Sequence, residues 1–279
     1  MDKISRRRFM ECTGTAAAAF FADARNASPY PLDGILGLQG NDIRHHLAQD
    51  YPGTLRQLAA WGYKAVDLVA SQSPGKSAKE IRQLFDAAGM VCHNCHYSFA
   101  ALHEQYGETI ADSHVLGLKS LVCQSASPMK TADSWKKLAD DLNALGEKTK
   151  RDGILTGYHN HVVEFRDVEG QVPFELLAKD TDPRLVRFQI DVGHLAQSGK
   201  DPLTYLANYP DRFFSMHAKE EKAGKIGFAL GEGELDFRKI FTPARADGIR
   251  DYDVETGAPV ETVMEKLRLS IEYLKKLTI

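Results

Sequence analysis

Residues able to bind a metal and move protons recur at one kind of place in this sequence, the C-terminal end of a short apolar run. One run closes with Tyr158-His159-Asn160-His161, the next with Asp191-Val192-Gly193-His194, a third with His217-Ala218-Lys219 and a fourth with Glu255. Asp191, His217 and Glu255 offer a carboxylate, an imidazole and a second carboxylate from three consecutive runs. Together they can share one divalent cation at about 2.0–2.3 Å. Mn²⁺ is the first expectation for such a mixed donor set, with Mg²⁺, Zn²⁺ or Co²⁺ also compatible. A single His or Asp at a strand end is more often a hydrogen-bonded structural residue. Several in succession are harder to explain that way, because burying Asp191, His217 and Glu255 without a cation costs several kcal/mol for each unpaired charge.

These side chains converge only if the runs are neighbouring parallel strands. From Gly34 onward, apolar runs alternate with amphipathic stretches about every thirty residues, the βαβ rhythm. The strands predicted are Ile35–Gln39, Ala65–Val69, Met90–Tyr97, Ser120–Ser125, Leu155–His161, Val186–His194, Phe213–Lys219 and Tyr252–Thr256. Helical spacing appears between them: Leu55, Leu58, Ala59 and Trp61 before Gly62, Ile81, Leu84, Phe85 and Ala88 before Gly89, and Leu138, Leu142 and Leu145 before Gly153. Each glycine suits a helix C-cap turning into the next strand. Val263, Leu267, Ile271 and Leu274 mark a last helix. No glycine-rich nucleotide turn follows the first strand, so eight units predict an α/β fold of the closed (β/α)₈ TIM-barrel type, a single domain, rather than an open doubly wound sheet. In such a barrel the C-terminal strand ends form the catalytic face. The glycine-containing stretch from Glu220 to Asp236 is expected to be a lid over it.

The first residues read differently. Ser5-Arg6-Arg7-Arg8-Phe9-Met10 followed by the small and apolar run Thr13 to Ala22 resembles a Tat export signal. Ala22-Asp23-Ala24 supplies a small-x-small cleavage site, which would start the mature chain near Arg25. The expected division is a signal segment over 1–28 and the barrel over 29–279, with a periplasmic or otherwise exported location. The apolar run is shorter than the roughly 20 residues that span a bilayer, so no stable membrane anchor is expected. Of four cysteines, Cys12 would leave with the signal, and the remaining three form no disulfide framework. Cys92-His93-Asn94-Cys95-His96 matches the covalent haem pattern, but it lies in a predicted interior strand, where a haem would displace the core. With 279 residues, 43% hydrophobic and a net charge of −3, the chain has material for a core and no positive field to hold a phosphate backbone.

Gly157-Tyr158-His159-Asn160-His161-Val162-Val163-Glu164-Phe165, Ile190-Asp191-Val192-Gly193-His194, His217-Ala218-Lys219-Glu220 and Leu230-Gly231-Glu232-Gly233-Glu234-Leu235-Asp236-Phe237 resemble the successive motifs of xylose-isomerase-like barrels. That superfamily contains sugar isomerases and epimerases, inosose dehydratases and an apurinic endonuclease branch. The resemblance implies metal ligation by Asp191, His217 and Glu255. Ketose epimerases of the superfamily place a glutamate at the end of strand five, where this chain has His159. Either His159 or Glu164, swinging in from the loop, would complete the metal shell.

The implied chemistry is proton abstraction beside a carbonyl through an enediolate whose charge develops against the cation. His161, Glu164 and Glu255 are the candidate bases, and Lys219 is an electrostatic or proton-donating helper. His96, His194 and Glu232 are candidate substrate-binding residues. Orienting a ligand is an equal alternative for His161, and an ion pair with Glu255 or Glu232 is the alternative for Lys219. The expected partner is a small carbohydrate. Isomerisation or epimerisation of a keto-sugar is the favoured outcome, with dehydration or glycoside elimination as the rival. A nuclease is disfavoured, since only Asp67 and His96 stand on the early strands as extra ligands and nucleic acid is not an expected partner. A sugar-binding module without catalysis is the remaining class.

Overall fold

A computed structural model of the chain describes residues 32, 34–124 and 129–278. Eight strands, β1 (Ile35–Gln39), β2 (Ala65–Val69), β3 (Val91–Tyr97), β4 (Ser120–Cys123), β5 (Leu155–His159), β6 (Val186–Asp191), β7 (Phe213–Lys219) and β8 (Asp251–Glu255), alternate with helices. They pair in parallel in chain order and close as a barrel, β1 meeting β8 from Ile35↔Asp251 to Leu38↔Val254. The single (β/α)₈ barrel expected from the alternation is what the chain forms. The segment read as an export signal lies outside the described residues. Among the described residues no helix is long and apolar enough to cross a membrane.

The apolar positions picked out by helical spacing do cover the sheet. Leu55, Leu58, Phe85, Leu138, Leu142, Leu145, Val263, Leu267, Ile271 and Leu274 are all buried. Burial of each such side chain contributes on the order of 1.5–3 kcal/mol relative to exposure. Gly89 caps the helix Ala78–Ala88 at φ 66°, a left-handed conformation that only glycine adopts without strain, and Met90 N–H then donates to Phe85 carbonyl oxygen at 3.0 Å. That bond ends one element and delays the next, so β3 starts at Val91 rather than Met90.

Of the predicted strands that end early, three do so for a visible local reason. β6 stops at Asp191 because its carboxylate accepts from His194 N–H at 2.8 Å and caps the short helix Val192–Gln197. β5 stops at His159 because Glu164 accepts from His161 N–H at 2.8 Å and turns the chain. β8 runs Asp251–Glu255, since Thr256 N–H and Oγ1–H and Gly257 N–H all donate to Asp42 at 2.6, 2.8 and 3.1 Å. The stretch predicted as a lid is tied down from inside. Buried Glu220 accepts from the amides of Glu221, Gly231 and Leu235 at 3.0, 2.8 and 3.1 Å.

Cys92 and Cys95 carry free thiols, and both, like Cys123, are buried. Burial pushes the thiols of Cys92 and Cys95 up, which keeps them protonated and unreactive inside β3.

Candidate active site

Strand register assembles the site. Asp191 at the end of β6 lies opposite His217 of β7, and Lys219 lies opposite Glu255 at the end of β8. His159 ends β5, its ring 4.5 Å from that of His217. One ligand atom each from His159, Asp191, His217 and Glu255 can be chosen so that all four lie within 4.8 Å of one another. Asp191 and His217 are fully buried, His159 is nearly so, and the Glu255 side chain remains 14% exposed, so the group reaches solvent through Glu255.

The donor chemistry fits a divalent cation. Burial and the neighbouring His217, His161, His96 and His194 hold the His159 imidazole well below its ordinary pKa, hence neutral. Its Nδ1 is buried with no hydrogen-bond partner among the described residues. A neutral, unpaired imidazole nitrogen in a cluster with two carboxylates is in the form a metal requires. His217 stands differently. Although burial opposes charge, hydrogen bonds to Asp67 and Glu255 push it up to about 10. Its Nδ1–H donates to Glu255 Oε2 at 2.8 Å and its Nε2–H to Asp67 Oδ2 at 2.9 Å. A cation taking His217 must therefore displace a proton.

Lys219 is buried, and its Nζ sits 2.7 Å from Glu255 Oε1 and 3.1 Å from Asp191 Oδ2. Burial disfavours its charge, but these two carboxylates outweigh it and raise its pKa, while Lys219 in turn holds Glu255 well below the ordinary carboxylate range against its own burial. An ammonium only donates, so His194 Nε2, 2.9 Å away, accepts and His194 carries its proton on Nδ1, facing Gln197 Oε1 at 3.3 Å. Gly193 is needed here: a Cβ would stand 2.6 Å from Lys219 Cγ and 2.7 Å from its carbonyl oxygen.

His161 is half-buried, with its ring 4.8 Å from His159 and 5.1 Å from His194. Burial and His194 push it down to about 4, so it is neutral at pH 7 and free to accept a proton.

The remaining sequence candidates are committed to other partners, His96 while packed against His159 and His217. Glu164 accepts from Tyr158 O–H and His161 N–H, both at 2.8 Å, so its carboxylate shapes the turn that carries His161 and stands apart from the four-residue group. His96 is buried and donates from Nε2 to Asp67 Oδ2 at 3.0 Å and Gln189 Oε1 at 2.8 Å. Its engagement with protein acceptors differs from the hydroxyl-binding role expected. Glu232 pairs with Lys266 at 2.8 Å and accepts from Ala229 N–H, so the ion-pair partners of Lys219 are Asp191 and Glu255.

Residues given no role in sugar chemistry from the sequence complete the interior. Asp67, Gln189, Ser215, Asp253 and His93 are buried along the strands. The available signal was a lone polar residue inside an apolar strand, as in Ala65-Val66-Asp67-Leu68-Val69.

Residues 55–277 match the sequence profile described as Xylose isomerase-like TIM barrel. The chain is 32% identical over 140 residues to inosose dehydratase 2 of Bacillus cereus, covering 49% of this chain and 46% of that protein, so it spans about half the length of that relative. To inosose dehydratase of Lacticaseibacillus casei it is 26% identical over 250 residues, 75% of this chain and 83% of the relative. A solved sugar phosphate isomerase/epimerase from Parabacteroides distasonis ATCC 8503 superposes with a TM-score of 0.78 at 27% identity, covering 87% of this chain and 94% of that one.

Proposed function

Because this chain belongs to the xylose isomerase-like TIM barrel family, we propose that it is a divalent-metal-dependent enzyme that removes a proton beside the carbonyl of a small carbohydrate. The observation that carries this reading is the convergence of His159, Asp191, His217 and Glu255, with neutral His159 unpaired at Nδ1. A cation held by these four, Mn²⁺ as the first expectation, would supply Lewis-acid stabilisation of charge developing on the substrate oxygens. The protein supplies the proton chemistry. Neutral His161 accepts the carbon-bound proton, the electron pair moves toward the carbonyl oxygen, and an enediolate results. The Lys219 ammonium, aimed by Asp191 and Glu255, stabilises that charge or returns a proton.

Two outcomes follow from the enediolate. Reprotonation on another carbon or face gives isomerisation or epimerisation, the outcome that the name of the Parabacteroides structure suggests. Loss of a β-substituent, with Lys219 or a histidine protonating the leaving oxygen, gives dehydration or glycoside elimination. The side chains favour elimination. A shuttle between two carboxylates needs a second free carboxylate, and here β5 ends in a histidine while Glu164 is committed to Tyr158 and His161. The names of the matching inosose dehydratases point the same way.

The discriminating experiment incubates the Mn²⁺-loaded protein with ketoses, inososes and 3-keto-glycosides in D₂O. Release of water or aglycone supports elimination, and deuterium incorporation without release supports isomerisation. Sugar binding with neither result refutes the enzyme reading. The twin-arginine segment Ser5–Met10 supports an exported location as part of the same proposal. A reporter fused after residue 28 that stays in the cytoplasm would refute it.

A further inference from the structure

Asp67 is fully buried on β2, and one of its oxygens organises three other strands. Oδ2 accepts from His96 Nε2 of β3 at 3.0 Å, Gln189 Nε2 of β6 at 2.8 Å and His217 Nε2 of β7 at 2.9 Å. Gln189 is locked in turn, its Nε2 donating to Ser215 Oγ at 2.8 Å and its Oε1 accepting from His96. The other nitrogen of His217, Nδ1, lies 2.8 Å from Glu255 Oε2, on the side of the four-residue cluster.

We infer that Asp67 is a positioning residue that keeps a proton on His217 Nε2 and thereby presents Nδ1 to the cation. A histidine ligand whose second nitrogen donates to a carboxylate is fixed in tautomer and ring orientation and is made more basic, and loss of such a partner typically weakens metal binding roughly 10–100-fold. The three donors crowded on Oδ2 explain why this carboxylate serves the ring edge, and parallel stacking of His96 on His217, 5.5 Å between centroids and 13° between planes, holds the ring in place from another side. The inference rests on the proposed metal site.

The test measures Mn²⁺ affinity calorimetrically for wild type, Asp67→Asn and Ser215→Ala. Asp67→Asn keeps the shape and removes the charge. Ser215→Ala disturbs the same buried network without touching His217, and so reports a merely structural effect. The expected result is a roughly 10–100-fold weaker affinity in Asp67→Asn with Ser215→Ala within about threefold of wild type. Equal affinity in Asp67→Asn and wild type, or equal weakening in both variants, overturns the inference and leaves the metal site standing. A wild type that binds no divalent cation overturns both. Should Asp67→Asn fail to fold, Zn²⁺-loaded wild type decides by long-range ¹H–¹⁵N spectroscopy. The proton must be on His217 Nε2 and the metal on Nδ1, and the reverse assignment refutes the role.

Discussion

At the C-terminal strand ends, His159, Asp191, His217 and Glu255 bring ligand atoms within 4.8 Å of one another and leave an imidazole nitrogen unpaired. Toward the opposite ends of β3 and β8, His93 lies 3.0 Å from Asp253 and 3.7 Å from Asp251, which is itself 3.7 Å from Lys119. Both regions are built from histidine and carboxylate in a buried barrel, and each leaves an imidazole nitrogen without a hydrogen-bond partner among the described residues, Nδ1 of His159 and Nδ1 of His93, but the two rings differ in charge. Around His93 the protein supplies its own positive charge: burial opposes it, but Asp253 and Asp251 push the imidazole up to about 9. Among the described residues no carboxylate is hydrogen-bonded to His159 Nδ1, and burial with neighbouring histidines keeps the ring neutral. Residue type is therefore a poor guide to metal binding inside a barrel. What separates the two regions is where the counter-charge comes from: His93 is itself the cation for its carboxylates, whereas Asp191 and Glu255 are paired with Lys219 and His217, and His159 is left neutral.

Substitutions that exchange these conditions test the contrast. The largest effect is expected from Glu255→Gln, which removes a cluster carboxylate and the Lys219 partner at 2.7 Å. Turnover of whichever substrate the panel identifies should fall roughly 10²–10⁴-fold with the fold retained by circular dichroism, and near-wild-type kcat would contradict the site. Next is Lys219→Met, which leaves Asp191 and Glu255 without their ammonium. Metal-free stability should drop by about 3–5 kcal/mol, and Mn²⁺ should raise the variant's Tm more than the wild type's. An equal rise would show that lysine and cation do not share the same carboxylates.

His93→Gln probes the self-neutralised region through pH. A folded-state pKa raised from its ordinary value near 6.5 to about 9 gives stability that is fully present below pH 6.5 and is lost as pH rises through 9. Denaturant titrations should accordingly show the wild type's advantage over the variant shrinking across that window, and a constant advantage would mean that His93 acts by packing alone. The smallest effect is expected at Glu232→Gln. Its bond to Lys266 is partly exposed, so stability should change by about 0–1 kcal/mol and Mn²⁺ affinity should stay put. A marked loss of affinity would return Glu232 to the site.

The parts of the site legible in the sequence were those following from strand ends. Asp191, His217, Glu255 and Lys219 terminate or nearly terminate three consecutive strands, and parallel register necessarily brings such positions together. His159 was legible as a possible ligand, but its competition with Glu164 was not resolvable, because Tyr158 and His161 capture Glu164 only once the turn after β5 has formed. His96 read as a residue facing substrate because its strand ends at the active face, and its commitment to Asp67 and Gln189 depends on side chains from β2 and β6, 29 and 93 positions away. Glu232 lay in a glycine-rich motif, and its partner Lys266 belongs to the last helix.

Sequence alone determined the alternation of strands and helices, the closure into a barrel, the buried faces of the helices and the chemical types offered at the active face. These follow from periodicity, which is local. Tertiary structure decided which titratable groups neutralise one another. Hydrogen bonding across the barrel interior pairs residues as distant as Asp67 and His217, and buried charges take their protonation from such neighbours rather than from their own identity. That is why His93 and His217 are held charged and His159 neutral once the barrel has closed, though all three are histidine in the sequence.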